Sequence, residues 1–133
     1  MRHIAIMKSS WGLLPKILDG HKTVETRWYR VRTGAWNAVH AGDTIFFADS
    51  GAPCTVRTDI ARVLQFENLD TQRAREIFVE YQDVAALEEH MWPLLQEKRY
   101  CGVMFLENVQ TITPFAINKK GYGVMSAWLS LRT

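Results

Sequence analysis

The chain has 133 residues, of which 47% are hydrophobic and 23% charged, and its formal net charge at pH 7 is +2. This length and apolar content predict a single domain with one core and exclude an intrinsically disordered chain. The small net charge gives no bulk electrostatic sign of a nucleic-acid binder, so any such function depends on where the charges lie.

The two cysteines and the absence of targeting patterns indicate the compartment. Cys54 and Cys101 are far apart and form no CxxC pair, so reduced thiols in a cytoplasmic protein are the simplest expectation. No apolar run is long enough to span a bilayer, so we predict no membrane partner. Metal-ligand spacing is absent among His3, His21, His40 and His90, so we predict no metal site. We also predict no cofactor.

The N-terminal segment predicts a strand followed by a short helix. The stretch "RHIAIM" alternates weakly and has enough β-branched residues for a strand. Ser9 or Ser10 can cap the helix, Pro15 is tolerated only in its first turn, and Gly20 suits a left-handed turn at its end.

Three further strands are predicted before the first long helix. The stretch "KTVETRWYRV" alternates as a strand, and a buried strand at 44–48 follows a turn at 41–43. The stretch "CTVRTDIARVLQF" reads as a long strand whose alternation blurs after Ile60, which indicates a bulge or bend.

The second half predicts two helices and two strands. Asp70 can cap the first helix, and Asp83 can cap a second, which Pro93 should end or kink. The stretches "YCGVMFLENVQTI" and "GYGVMSAWLSL" read as strands. Strands at both ends, with two helices inserted late, predict a small mixed barrel whose closure removes exposed strand edges.

Three charged residues fall close together in the stretch "GHKTVETRW". If 23–29 is a strand, Glu25 and Arg27 share one face and Lys22 stands at the mouth, just after a glycine turn. Arginine offers a fork of donors to phosphate or to a carbonyl edge, and lysine offers a mobile positive charge. Glutamate can orient both cations or accept a proton. The same spacing also suits a purely structural ion pair between Glu25 and Arg27 across a barrel rim.

Aromatic residues surround this charged stretch. Trp11, Trp28 and Tyr29 lie near it in sequence and are candidates to stack a base, although tryptophans more often belong to a core. Ser9, at the start of the first helix, is a further candidate ligand contact. Tyr122 and Ser126 can also reach the same cleft from the C-terminal end.

A short helix ending in glycine, then G-x-K-T-x-E-x-R and a strand, resembles the ASCH family of the PUA-like superfamily. The motif residues are Gly20, Lys22, Thr23, Glu25 and Arg27, and the extended form resembles the EOLA-like branch. The clear match covers roughly the first third of the chain. The resemblance implies an α+β fold, a PUA-like mixed β-barrel flanked by short helices, as one domain over residues 1–133.

The resemblance also implies function. The cleft beside the first helix binds RNA or a modified nucleoside in this family, and some members are ribonuclease-like. Others are amidohydrolases that remove the acetyl group from N4-acetylcytidine. Their catalytic lysine corresponds to Lys22. The position of their catalytic threonine is occupied in this chain by Glu25, and the further glutamate that they use corresponds to the region of Glu80.

The sequence is therefore compatible with three functions. The first is an RNA- or nucleoside-binding module that uses Lys22, Glu25 and Arg27. The second is a hydrolase that acts on an acylated nucleoside or on RNA, in which Glu25 is the general base and Lys22 stabilises an oxyanion. The third is a protein-interaction domain with a vestigial cleft plugged by its own side chains, such as Trp11 or Tyr122.

Overall fold

A computed structural model describes residues 1–131, which form one curled six-stranded sheet with four short helices. The strands are β1 Arg2–Met7, β2 Val24–Tyr29, β3 Thr44–Asp49, β4 Cys54–Phe66, β5 Tyr100–Phe115 and β6 Trp128–Ser130. The helices are α1 Leu13–Leu18, α2 Gly34–Ala38, α3 Thr71–Tyr81 and α4 Trp92–Leu95, with 3-10 turns at Ser9–Trp11 and Glu89–Met91. None of these helices has the length and apolar character that crossing a membrane requires.

The strand order in the sheet is β2-β5-β4-β3-β1-β6. Strand β1 is parallel to β3 and antiparallel to β6, and the remaining neighbours are antiparallel. Strands β2 and β6 are the two edges, so within residues 1–131 the curled sheet is a half-barrel that backbone hydrogen bonds do not close. The predicted mixed α+β architecture is present, whereas the predicted closure of the sheet is wrong.

Bulges in the long β4–β5 ribbon give the sheet its curl. The pairing register shifts at three places, one of them between Ile60 and Arg62, where the blurred alternation predicted a bulge. Strand β5 is buried through Met104 and then runs outward along the surface. The ribbon therefore bends β2, which pairs only with β5, back toward β1.

One main hydrophobic core fills the fold. Its largest fully buried members include Phe47, Phe78, Ile17, Ile45 and Met104, which come from β3, α3, α1 and β5. Helix α3 begins as predicted, because the Asp70 side chain accepts a hydrogen bond from the Arg73 backbone. Cys54 and Cys101 are both buried and unpaired, so the two thiols form no disulfide.

The predicted helix after Asp83 is absent, and Pro93 plays the opposite role. Pro93 lies in the first turn of α4, where its missing N–H costs nothing, so it starts a helix and does not end one. Residues 82–86 form turns, with Ala86 at a positive φ of 54°. The reason is tertiary: the Ala85 carbonyl accepts from Lys22, and the Val84 carbonyl accepts from Thr23 and Val24.

Three smaller predictions also differ from the structure. The predicted C-terminal strand shortens to β6, because turns occupy 120–122 and 124–125. Gly12, at φ +61°, precedes α1 in place of the predicted Ser9 or Ser10 cap. Helix α2 was not predicted; its Gly34 has φ +57° and packs directly against the Tyr29 ring.

A buried polar network joins the ends of β1, β3 and β6. His3 is fully buried, and its Nε2 lies 2.8 Å from a carboxylate oxygen of Asp43, so Nε2 carries the proton. Its Nδ1 is 2.9 Å from the Ser130 hydroxyl and accepts from it. The Met1 amino group and the His40 backbone also donate to Asp43. Burial lowers the pKa of His3, although Asp43 opposes the shift.

Acidification below pH 6.5 should therefore destabilise the fold through His3. The unfolded histidine has a pKa near 6.5, so as pH falls the unfolded state takes up the proton first and stability is lost. We expect the free energy of unfolding to fall by up to about 1 kcal/mol between pH 7.0 and 5.5. Asp43 and Glu25, whose pKa values are also lowered, act in the same direction only nearer pH 4.

Urea denaturation of wild type, His3→Gln and His21→Gln at both pH values measures this effect. His21 is exposed, so its variant should keep the wild-type pH dependence. A His3→Gln protein as pH-sensitive as the wild type over this range would contradict the assignment.

Candidate functional site

A cleft lies at the seam where the half-barrel stays open, between the edge strand β2 and the end of β1. Its volume is about 370 Å³. Most of its wall is apolar and comes from Met7, Trp11, Leu13, Trp28, Leu87 and Leu95. Its polar lining comes from Lys8, Lys22, Glu25, Thr26, Arg27 and Ser50. A mainly apolar cavity with a few converging polar groups is the usual form of a small-molecule or base site. We call it the seam cleft.

The backbone of β2 faces this cleft with alternate residues. The Leu106 N–H bonds to the Thr23 carbonyl, so residues 23, 25 and 27 pair with β5. Residues 24, 26 and 28 then direct their backbone groups away from β5, toward the seam. Two of these groups are satisfied by side chains, since Val24 O accepts from Lys22 and Thr26 N donates to Glu25.

Lys22 lies in the cleft floor and not at its mouth as predicted. Its side chain is 1% exposed, and Nζ lies 2.7 Å from the Val24 carbonyl, 2.7 Å from the Ala85 carbonyl and 3.2 Å from Glu25 Oε1. These three acceptors match the three protons of an ammonium. Burial lowers the pKa of Lys22, and the Glu25 charge opposes that shift.

Glu25 is the centre of the charged cluster. Oε1 accepts from the Thr26 backbone at 3.1 Å and from Lys22, and Oε2 accepts from Arg27 at 3.2 Å. Burial by itself would raise the pKa of Glu25. The charges of Lys22 and Arg27, with their hydrogen bonds, outweigh burial and hold the pKa below its ordinary value. The carboxylate is therefore ionised and a weak base at neutral pH.

Arg27 connects the two sides of the seam. From β2 its Nη2 donates to the Ile6 carbonyl at 3.2 Å and its Nη1 to the Ala127 carbonyl at 3.3 Å, beside β1 and β6. The guanidinium also lies over the Trp128 ring, 5.3 Å from its centroid. The Arg27 side chain thus links β2 to β1 across the seam, whereas these two described strands are not paired through their backbones.

The mouth of the cleft carries a cation and an aromatic ring. Lys8 Nζ lies over the Trp11 ring, 5.3 Å from its centroid, and within residues 1–131 it has no ion-pair partner. Trp11 is half-buried and Ser50 is exposed. Lys8 is therefore a cation of the cleft lining that is open to a ligand anion.

The structure brings together five of the seven sequence-predicted site residues. Lys22, Glu25, Arg27, Trp11 and Trp28 all line the seam cleft, whereas Ser9 and Tyr29 do not. Ser9 is exposed in its 3-10 turn, and the Tyr29 hydroxyl accepts from the Ala35 backbone beneath α2. Neither Tyr122 nor Ser126 lines the cleft, and Trp11 forms a wall without filling it.

Sequence reasoning missed Lys8, Ser50 and Thr26 as cleft residues. Thr26 lies on the strand face opposite Glu25, so it is not part of the charged face that the motif marks. It reaches the cleft because β2 is an edge strand, and its hydroxyl accepts from Trp28 Nε1 at 3.0 Å. Lys8 directly follows β1 and therefore lies outside the motif, which extends from Gly20 to Arg27. Within the described residues 1–131, no three potential metal-binding side chains come together.

No protein-family model matches the chain, and no curated protein sequence matches it. Three crystal structures of ASCH from Zymomonas mobilis match its fold. The first gives a TM-score of 0.69 at 15% identity, covering 98% of this chain and 87% of that one. A tyrosine-to-phenylalanine variant gives 0.70 at 15% identity, covering 98% and 90%. A serine-to-alanine variant gives 0.71 at 16% identity, covering 98% and 88%. The chain therefore has the α+β, PUA-like barrel fold of ASCH domain proteins.

Proposed function

We propose that this chain is an ASCH-domain protein that binds single-stranded RNA or a nucleotide by taking one base into the seam cleft. The observation that carries the proposal is the cleft itself, an open apolar slot walled by Trp11 and Trp28 with fixed charges in its floor. Aromatic faces stack bases of any sequence, and a cation at the rim contacts the phosphate. The motif also supports a place in the EOLA-like branch.

The contacts of Lys22 and Glu25 favour binding over hydrolysis. The Lys22 protons are directed to three fixed acceptors, which leaves none for an oxyanion. Glu25 has a lowered pKa, which makes it a poor general base. The open cleft likewise favours ligand binding over a vestigial site. Turnover of N4-acetylcytidine by the wild-type protein, detected by mass spectrometry, would overturn this preference for binding.

Lys8→Ala should weaken binding of a short single-stranded RNA and reduce its salt dependence. If Lys8 neutralises one phosphate, the slope of log K against log salt should fall by about 0.7. Fluorescence anisotropy with labelled oligoribonucleotides at several salt concentrations measures both quantities. Lys98→Ala is the matched control, since Lys98 carries the same charge outside the cleft lining.

Trp11→Ala tests the stacking wall in the same assay. Loss of one stacking platform should weaken binding by roughly tenfold or more. Wild-type protein that binds neither RNA nor nucleotides, or variants at Lys8 and Trp11 that bind like the Lys98→Ala control, would refute the proposed function.

A further inference from the structure

We propose that this chain binds a second copy of itself, with a loop of one copy docked in a groove beside α3 and α4 of the other. The loop comprises residues 118–126, and we call it the apolar loop. The groove runs along α3 to the start of α4, and the side chains that matter here are Val79, Trp92, Arg75, Glu76 and Glu80. None of these five lines the seam cleft, so this contact is separate from the proposed ligand site.

The apolar loop presents the two most exposed large apolar side chains of the described part of the chain. Val124 is 81% exposed and Met125 is 91% exposed. Internal hydrogen bonds hold the loop in shape: the Lys119 ammonium donates to the Val124 carbonyl at 2.9 Å, and the Ser126 backbone donates to the Gly123 carbonyl at 3.2 Å. Because the loop is already formed, docking it costs little conformational entropy, and its apolar tip is suited to an interface.

The groove offers an apolar floor that its own chain leaves uncovered. Val79 is 54% exposed, and the half-buried Trp92 packs against Phe78 with the two ring centroids 5.3 Å apart. The Arg75 guanidinium lies 5.1 Å from the Trp92 centroid and donates two hydrogen bonds to Glu89, at 3.0 and 2.8 Å. The Arg75 charge is therefore already paired, and apolar side chains that cover Val79 and Trp92 remove apolar surface from water.

Charges of opposite sign accompany the two apolar surfaces. Glu76 and Glu80 are exposed, lie one turn apart on α3, and have no ion-pair partner within residues 1–131. Like charges at this spacing destabilise a helix, so a cation from outside the chain relieves the repulsion. The apolar loop supplies such cations, because Lys119 and Lys120 precede its tip and have no acidic partner in the described chain either.

The sheet separates the loop from the groove within one copy. Helix α3 packs on the main core, to which Ala5 belongs. Tyr122 of the apolar loop packs instead against a second buried cluster, to which Ile4 belongs. Because consecutive strand residues point to opposite faces, these two clusters lie on opposite faces of the sheet. The loop that enters the groove therefore comes from another copy, and the contact joins two different surfaces of the molecule.

Sedimentation equilibrium of the wild-type protein, at concentrations from about 10 μM to 1 mM, tests this inference. We expect the average mass to rise with concentration. The dissociation constant should be on the order of 100 μM, because the loop and the groove form a small contact.

Two double variants each remove one of the two surfaces. Val124→Ser with Met125→Ser removes the apolar tip, and Glu76→Lys with Glu80→Lys places cations opposite the loop lysines. Each should weaken self-association at least about tenfold. An equimolar mixture should form a one-to-one dimer, because the intact loop of the groove variant binds the intact groove of the loop variant. Val31→Ser is the control, since Val31 is 63% exposed and lies outside both surfaces.

The mixture makes the test independent of folding defects, because each variant must supply an intact surface for the dimer to form. Wild-type protein that stays monomeric over the whole concentration range would overturn the inference. Either double variant that associates as strongly as the Val31→Ser control would also overturn it, because another surface would then be responsible. A mixture of the two variants that stays monomeric would equally refute a contact between loop and groove.

Discussion

Replacing Lys22 by methionine is expected to lower the free energy of unfolding by about 3–5 kcal/mol. Methionine fills a similar volume, so the loss comes from charge and hydrogen bonding and not from a cavity. The variant leaves Glu25 buried with one cation in place of two. It also leaves the Val24 and Ala85 carbonyls without the donor that now lies 2.7 Å from each. Urea denaturation at pH 7 measures the change.

A matched control and a double variant make this result specific. Lys16 is 34% exposed and pairs with the exposed Glu88, so Lys16→Met should change stability by no more than about 0.5 kcal/mol. Combining Lys22→Met with Glu25→Gln should recover part of the loss, because the buried carboxylate, which then has one cation in place of two, is replaced by a neutral amide. A Lys22→Met protein as stable as the wild type would show that the ammonium is not needed for the fold.

This expectation changes how the motif is interpreted. On the sequence alone, Lys22 is a mobile charge at the mouth of a cleft. In the structure it is an internal donor that joins the turn at 82–86 to the start of β2. Loss of ligand binding in a Lys22 variant would therefore not identify a contact residue, since the floor would be disrupted. Lys8 and Trp11, at the mouth, are the cleaner positions for such a test.

The sequence predicted features that depend on neighbouring residues. The bulge after Ile60, the Asp70 cap and the left-handed turn at Gly20 all follow from local backbone preferences, and all three are present. The alternation of β2 also correctly placed Glu25 and Arg27 on one face, where they form an ion pair at 3.2 Å.

The sequence could not reveal contacts between distant segments. Ala85 is 63 residues from Lys22, and the hydrogen bond between them belongs to the turn that replaces the predicted second helix. The periodicity of 83–92 favours a helix. The Val84 and Ala85 carbonyls instead accept hydrogen bonds from the segment around Lys22, and these tertiary contacts stabilise a turn. Thr26 was missed for a related reason: which strand of a sheet becomes an edge depends on topology, which alternation does not encode.

Replacing Arg27 by alanine is expected to be the second largest change, a loss of about 3 kcal/mol. The variant removes one cation from the buried Glu25, and it removes the side chain that reaches Ile6 and Ala127 across the seam. Arg27→Lys keeps the charge but lacks the planar guanidinium fork. Its single ammonium cannot hydrogen-bond to Glu25 and to the Ile6 and Ala127 carbonyls at the same time. We expect Arg27→Lys to recover only part of the loss.

Hydrogen exchange distinguishes a link across the seam from a general contribution to stability. The Ile6 amide donates to the Ala127 carbonyl at 2.9 Å, the same carbonyl that Arg27 contacts, so it reports on the seam directly. In Arg27→Lys this amide should exchange at least about tenfold faster, while amides of the β3–β4 pairing change less. Arg30→Lys is the control, because Arg30 is 66% exposed and pairs with an exposed Glu97. Equal acceleration in both regions would mean that Arg27 stabilises the whole fold without holding the seam. Selective acceleration at Ile6 would show that the Arg27 side chain stabilises the contact between β2 and the end of β1 across the seam.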